Sequence, residues 1–189
     1  FEQEFAEMVH SPYALAVNSA SNGLMLAMDA FGVGEGTKIL TSPYTFVSTA
    51  TSALHLGGEV VYADIASDSY SIDPEKLEDM LKQDKSIKVI VPIHIAGNLC
   101  NMKAITTVAK QYGVAVIEDA AHAFPSKTAD GYGGTFGDAG VFSFYATKTI
   151  TTGEGGMICV RSPEAAERIK LMRSHGINRT IWDRYTDKH

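Results

Sequence analysis

The chain has 189 residues, 45% of them hydrophobic and 20% charged, with a formal net charge of −6. Such a length and balance suit one substantial α/β domain with a real core, and they argue against general nucleic-acid binding, which calls for a basic face. No apolar run approaches the roughly 20 residues of a transmembrane helix, while an anionic substrate stays open, because a few local Arg or Lys side chains can override the global sign.

Hydrophobic periodicity alternates between short β-branched runs and helical stripes. Residues 14–17 read as a strand and 22–31 as a helix with Leu24, Met25, Met28 and Phe31 on its apolar face. A strand at 38–40 precedes a helix at 46–56, rich in small and hydroxyl residues. Residues 59–62 form the next strand. Asp73-Pro74-Glu75 is an N-cap followed by proline at the first helical position, opening a helix over 75–82. Strands at 87–92 and 114–117 flank a helix at 102–112 ended by Gly113. Strands at 139–144 and 157–160 follow, and Pro163 opens a last helix over 164–174. This alternation implies one domain over 1–189, a three-layer αβα sandwich with a mostly parallel sheet. Ligands in such sheets bind beyond the carboxyl ends of the strands.

Chemistry concentrates in four segments. In Asn18-Ser19-Ala20-Ser21-Asn22-Gly23, between strand and helix, small residues and helix N–H groups could hold a phosphate; a plain helix cap explains the same residues. In Ser42-Pro43-Tyr44-Thr45-Phe46-Val47, Phe46 could stack on a planar cofactor or simply pack into the core. Glu118-Asp119-Ala120-Ala121-His122 follows a buried apolar strand, where acids are costly unless paired or functional; Asp119 could also cap a helix. Lys148 stands among Ser143, Thr147, Thr149, Thr151 and Thr152, with Gly153-Glu-Gly-Gly156 following, and a lysine so sequestered can react with an aldehyde. An acid at one strand end and an amine beyond another suit pyridoxal 5'-phosphate: Lys148 for the Schiff base, Asp119 for the pyridine nitrogen. Ser143 could reach the same phosphate as Ser21, and His122 could contact the ring or its phenolic oxygen.

Other patterns carry less. His94, His122 and His175 are too scattered for zinc, and Gly32-Val-Gly-Glu-Gly36 follows a helix where a dinucleotide fingerprint would open one. Cys100 and Cys159 lack a CxxC spacing and read as structural thiols of a reduced, cytoplasmic protein.

The segments 18–22, 41–47, 118–122 and 142–156, in this order, resemble the motifs of the DegT-type (DegT/DnrJ/StrS) sugar-nucleotide aminotransferases over nearly the whole chain. The resemblance implies the large domain of the fold type I aminotransferases, with the smaller C-terminal domain absent and the chain incomplete at both ends. It implies Lys148 as the Schiff-base lysine and proton shuttle, Asp119 on the pyridine nitrogen, and Ala20, Ser21 and Ser143 on the phosphate. Phe46 would stack on the ring, and His122 would stand near its phenolic oxygen. The implied reaction moves an amino group from an amino acid, usually glutamate, to a keto sugar carried on a nucleotide, in a homodimer serving surface-glycan or related sugar biosynthesis. The segment Trp182-Asp-Arg-Tyr185 looks most like members acting at the sugar's 4-position. A dehydratase on the same scaffold would carry histidine in place of Lys148. A cofactor-holding regulatory module and a non-catalytic fragment are the remaining alternatives.

Overall fold

The computed structural model describes residues 1–177, so the segment 182–185 lies outside the described residues. Seven strands form one sheet: β1 (Tyr13–Val17), β2 (Lys38–Thr41), β3 (Glu59–Tyr62), β4 (Ile87–Val91), β5 (Ala115–Asp119), β8 (Ala139–Ser143) and β9 (Gly156–Val160). A separate small hairpin pairs β6 (Lys127–Thr128) with β7 (Gly131–Tyr132). The sheet order is β1-β9-β8-β5-β4-β2-β3. The five strands from β8 to β3 are parallel; β9 is antiparallel to both its neighbours, so β1 again runs with the majority. The carboxyl ends of β1, β2, β4, β5 and β8 therefore share one edge, and β9 starts there.

Strict alternation along each strand builds the two cores. Leu15, Ile39, Val89, Ile117, Val141 and Ile158 face α2 (Ala20–Ala30), α3 (Val47–His55) and α6 (Pro163–Arg173). On the opposite face, Leu40, Ile90 and Val116 pack on α4 (Pro74–Gln83) and α5 (Met102–Tyr112), while Ala14, Phe142 and Met157 pack on α1 (Glu2–Val9). This is the expected αβα sandwich. Among the described residues no helix is long and apolar enough to cross a membrane.

Helix signals act where the sequence placed them. Asp73 accepts from the Glu75 N–H at 2.9 Å, with Pro74 first in α4, and Gly113 closes α5 in the left-handed region at φ 67°. Two expectations need correction, and one helix was not foreseen. Helix α2 starts at Ala20 rather than Asn22, because Ser19 is the residue that caps it, accepting from the Asn22 N–H at 3.2 Å. The strand read over 139–144 ends at Ser143, the last residue paired with β9, because the next carbonyl, that of Phe144, is taken by the Thr152 N–H of the loop. Helix α1 was not anticipated; its apolar stripe is only two buried side chains, Phe5 and Val9.

Candidate active site

Lys148 is carried on a loop fastened at its base. The Phe144 N–H donates to the Gly155 carbonyl at 2.9 Å, and the Phe144 carbonyl accepts from the Thr152 N–H and the Thr151 hydroxyl, each at 3.0 Å. Inside that closure the Lys148 N–H donates to the Tyr145 carbonyl at 2.9 Å, turning the chain sharply. Phe144 is in turn gripped by Phe5 at a centroid distance of 5.5 Å, so α1 anchors the loop. Gly156 allows the next strand to pass: a Cβ there would lie 2.9 Å from the Ala20 nitrogen and 2.8 Å from the Phe142 carbonyl oxygen. The glycine run thus brings the start of β9 against the first turn of α2.

Asp119, the last residue of β5, is buried. Its backbone is clamped by β4's continuation, donating to the Pro92 carbonyl at 2.9 Å and accepting from the His94 N–H at 3.1 Å. Its carboxylate accepts from the Thr49 hydroxyl at 2.7 Å and the Ala121 N–H at 3.2 Å. A turn, not a helix, follows Asp119, so the helix-cap alternative falls away.

These residues meet around one cavity of about 390 Å³ at the carboxyl edge of the sheet. Ala20 and Ser21 line one wall, and as the first two residues of α2 their N–H groups have no intrahelical acceptors. Asp119 and His122 line another, while Ser143 and Lys148 come from the β8 side. Phe46, at the N-terminus of α3, also lines it and is 71% exposed. The core-packing reading of Phe46 is therefore wrong. A second, more open hollow of about 310 Å³ adjoins this one and shares His122, Ser143 and Lys148 with it.

The electrostatics favour a reactive amine. Partial burial holds the Lys148 pKa below its ordinary value, and Asp119 opposes that shift without cancelling it. Desolvation, together with the neighbouring Lys148 charge, holds His122 below the usual histidine range. A depressed amine, a carboxylate fixed by hydrogen-bond donors, a helix N-terminus and an exposed aromatic face form a donor set that fits a planar phosphorylated aldehyde such as pyridoxal phosphate.

The family model for the DegT/DnrJ/EryC1/StrS aminotransferases matches residues 1–189. The chain belongs to this family. Among curated relatives, it is 44% identical to the spore coat polysaccharide biosynthesis protein SpsC of Bacillus subtilis (strain 168), over 98% of this chain and 47% of that protein. Among solved structures, an aminotransferase from Psychrobacter cryohalolentis superposes with a TM-score of 0.90 at 31% identity, covering 100% of this chain and 47% of that one. DesI, solved in the presence of its TDP-sugar product, gives a TM-score of 0.88 at 29% identity over 94% of this chain and 44% of its own. The chain thus spans about half the length of the relatives it matches, and its sheet is that of the fold type I aminotransferases.

Sequence reasoning missed three residues that support this site without lining it. Thr49, fully buried in α3, reaches Asp119 across 70 positions. Glu118 was grouped with Asp119 but faces the opposite way in the strand alternation. Its carboxylate accepts from the N–H groups of Gly134, Phe136 and Gly137 at 2.8, 2.7 and 2.6 Å, and lies 2.7 Å from Nε2 of His94. The Cys100 N–H donates to Nδ1 of that ring at 3.2 Å and so needs its lone pair. Although the Glu118 charge favours a second ring proton, this donor holds His94 as the neutral Nε2–H tautomer. The pair is a buried strut under the Asp119 strand. Apolar runs around His94 and a paired acid beside Asp119 were the only sequence hints.

The two cysteines are both buried and free, and burial pushes the Cys159 thiol up to about 12, which leaves it unreactive.

Proposed function

We propose that residues 1–189 are the cofactor-binding domain of a pyridoxal phosphate-dependent aminotransferase. It takes an amino group from an amino acid, glutamate, and delivers it to a 4-keto sugar on a nucleotide, as a cytoplasmic homodimer in surface-polysaccharide biosynthesis. The observation that carries this reading is that the depressed Lys148 amine and the donor-bound Asp119 carboxylate open into one cavity beside the N-terminus of α2. The polysaccharide role of SpsC and the TDP-sugar product of DesI support the substrate class.

When bound, the cofactor supplies an aldehyde and a ring that accepts electrons. Asp119 would keep a proton on the ring nitrogen through a charge-assisted hydrogen bond. The N–H groups of Ala20 and Ser21, with the Ser143 hydroxyl, would take the phosphate. Phe46 would cover one face of the ring and shed water from it, and His122 would stand beside the phenolic oxygen. Lys148 would hold the cofactor covalently, and its Nζ would serve as the general base for the α-proton of the amino donor. The hollow that adjoins Lys148 gives the acceptor sugar room next to that amine.

Absorbance of the purified protein with pyridoxal phosphate tests this. A band at the edge of the visible, absent in Lys148→Ala and shifted by adding glutamate, is the expected result. A wild type that shows no band, or a Lys148→Ala protein that keeps it, overturns the reading.

A further inference from the structure

The Asp119 carboxylate is aimed by a chain of two hydroxyl groups, one in the first turn of α3 and one just before that helix. Thr49 Oγ1 lies 2.7 Å from Asp119 Oδ2, and Thr45 Oγ1 lies 2.7 Å from Thr49 Oγ1. Each threonine has one hydroxyl proton. A carboxylate only accepts, so the Thr49 proton goes to Asp119, and the proton in the Thr45–Thr49 contact must be Thr45's. The direction is fixed: Thr45 donates to Thr49, and Thr49 donates to Asp119. Thr45 lines the cavity, and with its proton committed it can only accept there. Thr49 is wholly buried and the carboxylate nearly so, in surroundings where each bond of such a chain strengthens the next.

We propose that Thr49 is a positioning residue for the proposed reaction, fixing through its hydroxyl the orientation in which Asp119 meets the ring nitrogen, with Thr45 as the outer member of the relay. The inference rests on the cofactor reading above. Valine has nearly the shape of threonine and lacks the hydroxyl, so Thr49→Val leaves Oδ2 without its donor while filling the same space. Thr49→Ser keeps the donor and loses only a methyl group. Thr45→Val leaves the Thr49–Asp119 bond standing.

The experiment titrates pyridoxal phosphate into the full chain and into these three variants, following the bound band, with thermal melting of each cofactor-free protein as the control on folding. A hydrogen bond to a charged group sets the scale. Retention of the cofactor is expected to weaken about tenfold or more in Thr49→Val, to recover to within about threefold of wild type in Thr49→Ser, and to fall by only a few fold in Thr45→Val. Retention in Thr49→Val equal to wild type overturns the proposal, as does an equal loss in Thr49→Ser in a protein that melts normally. A second readout needs no cofactor. A hydroxyl proton buried against a carboxylate exchanges slowly, so the wild type should show a protected Thr49 hydroxyl resonance by NMR that is lost in Asp119→Ala. A missing resonance, or one unchanged in Asp119→Ala, also overturns the relay. A wild type that takes up no pyridoxal phosphate while showing this resonance overturns the proposed function and leaves the hydroxyl chain supported.

Discussion

A lysine attacks an aldehyde only as the neutral amine, and that makes the surroundings of Lys148 readable in a pH profile. Burial lowers its pKa and the Asp119 charge pulls it back up. Because the folded value is lowered, the neutral fraction grows as pH rises through a point below the ordinary 10.5. The rate at which the protein captures pyridoxal phosphate should therefore climb with pH and reach half its maximum below that value. In Asp119→Asn the opposing charge is gone, so the midpoint should move further down. Stopped-flow capture rates over a pH series measure both; a midpoint at the free-lysine value, or one that does not respond to Asp119→Asn, counts against this account. At this scale the sequence was informative about candidate reactive groups and silent about their partners. Lys148 and Asp119 declared themselves because an amine among hydroxyls and an acid after an apolar run are chemically odd. Thr49 did not, since a threonine in a small-residue helix is ordinary until the fold brings it to Asp119.

The Lys148 loop is held as an element, not residue by residue. Its hydrogen-bonded base closes at Phe144, and Phe144 sits in an aromatic cluster with Phe1, just before the first helix, and Phe5 within it, at 5.5 Å centroid distance from each. Phe5 also meets Phe142 at 5.1 Å and Phe124 at 5.6 Å. Phe5→Ala should cost about 3–5 kcal/mol of stability through the cavity it leaves. It should also loosen the loop, so that cofactor retention falls by more than the loss of Tm implies. Urea unfolding and the pyridoxal phosphate titration, run on the same variant, check the two effects separately. Unchanged retention would show that the hydrogen-bonded base holds the loop without α1. The glycines of the loop were legible as a turn, yet the reason for Gly156 was not: it clears the backbone of Ser19 and Ala20, more than 130 positions away in sequence.

At the scale of the molecule, ion pairs tie distant parts of the chain together. Arg168 forks onto Asp29 at 2.8 and 3.1 Å, joining α6 to α2, and Arg173 reaches both Glu2 and the Ala16 carbonyl, joining α6 to α1 and β1. On the other side of the sheet, Asp84 accepts from the Ser86 hydroxyl and N–H at 2.6 and 2.9 Å and pairs with Lys38 of β2 at 2.9 Å. The Ser86 hydroxyl, then Lys38, hold the Asp84 carboxyl down to about 2, against 3.8 for an ordinary aspartate. A lowered folded value gives stability that is fully present above the unfolded pKa and lost as pH falls through the folded one. Asp84→Asn should therefore be less stable than wild type near neutrality, with the gap closing between about pH 4 and pH 2. Urea midpoints over that range test it, and a gap independent of pH would assign the loss to packing.

The sequence alone determined the α/β alternation, most helix and strand positions, and which residues were candidates for the site that the fold gathers at one cavity. Those depend on local periodicity, capping and the cost of burying an unpaired charge, all of which are written within a few residues. Only the tertiary structure decided that β9 runs against its neighbours, that Phe46 is exposed at the cavity, and that Thr49, Glu118 and His94 support the Asp119 strand. These outcomes come from pairings between segments tens of residues apart. Such contacts leave no periodic trace, because each partner is chosen by where the sheet closes and not by its neighbours in the chain.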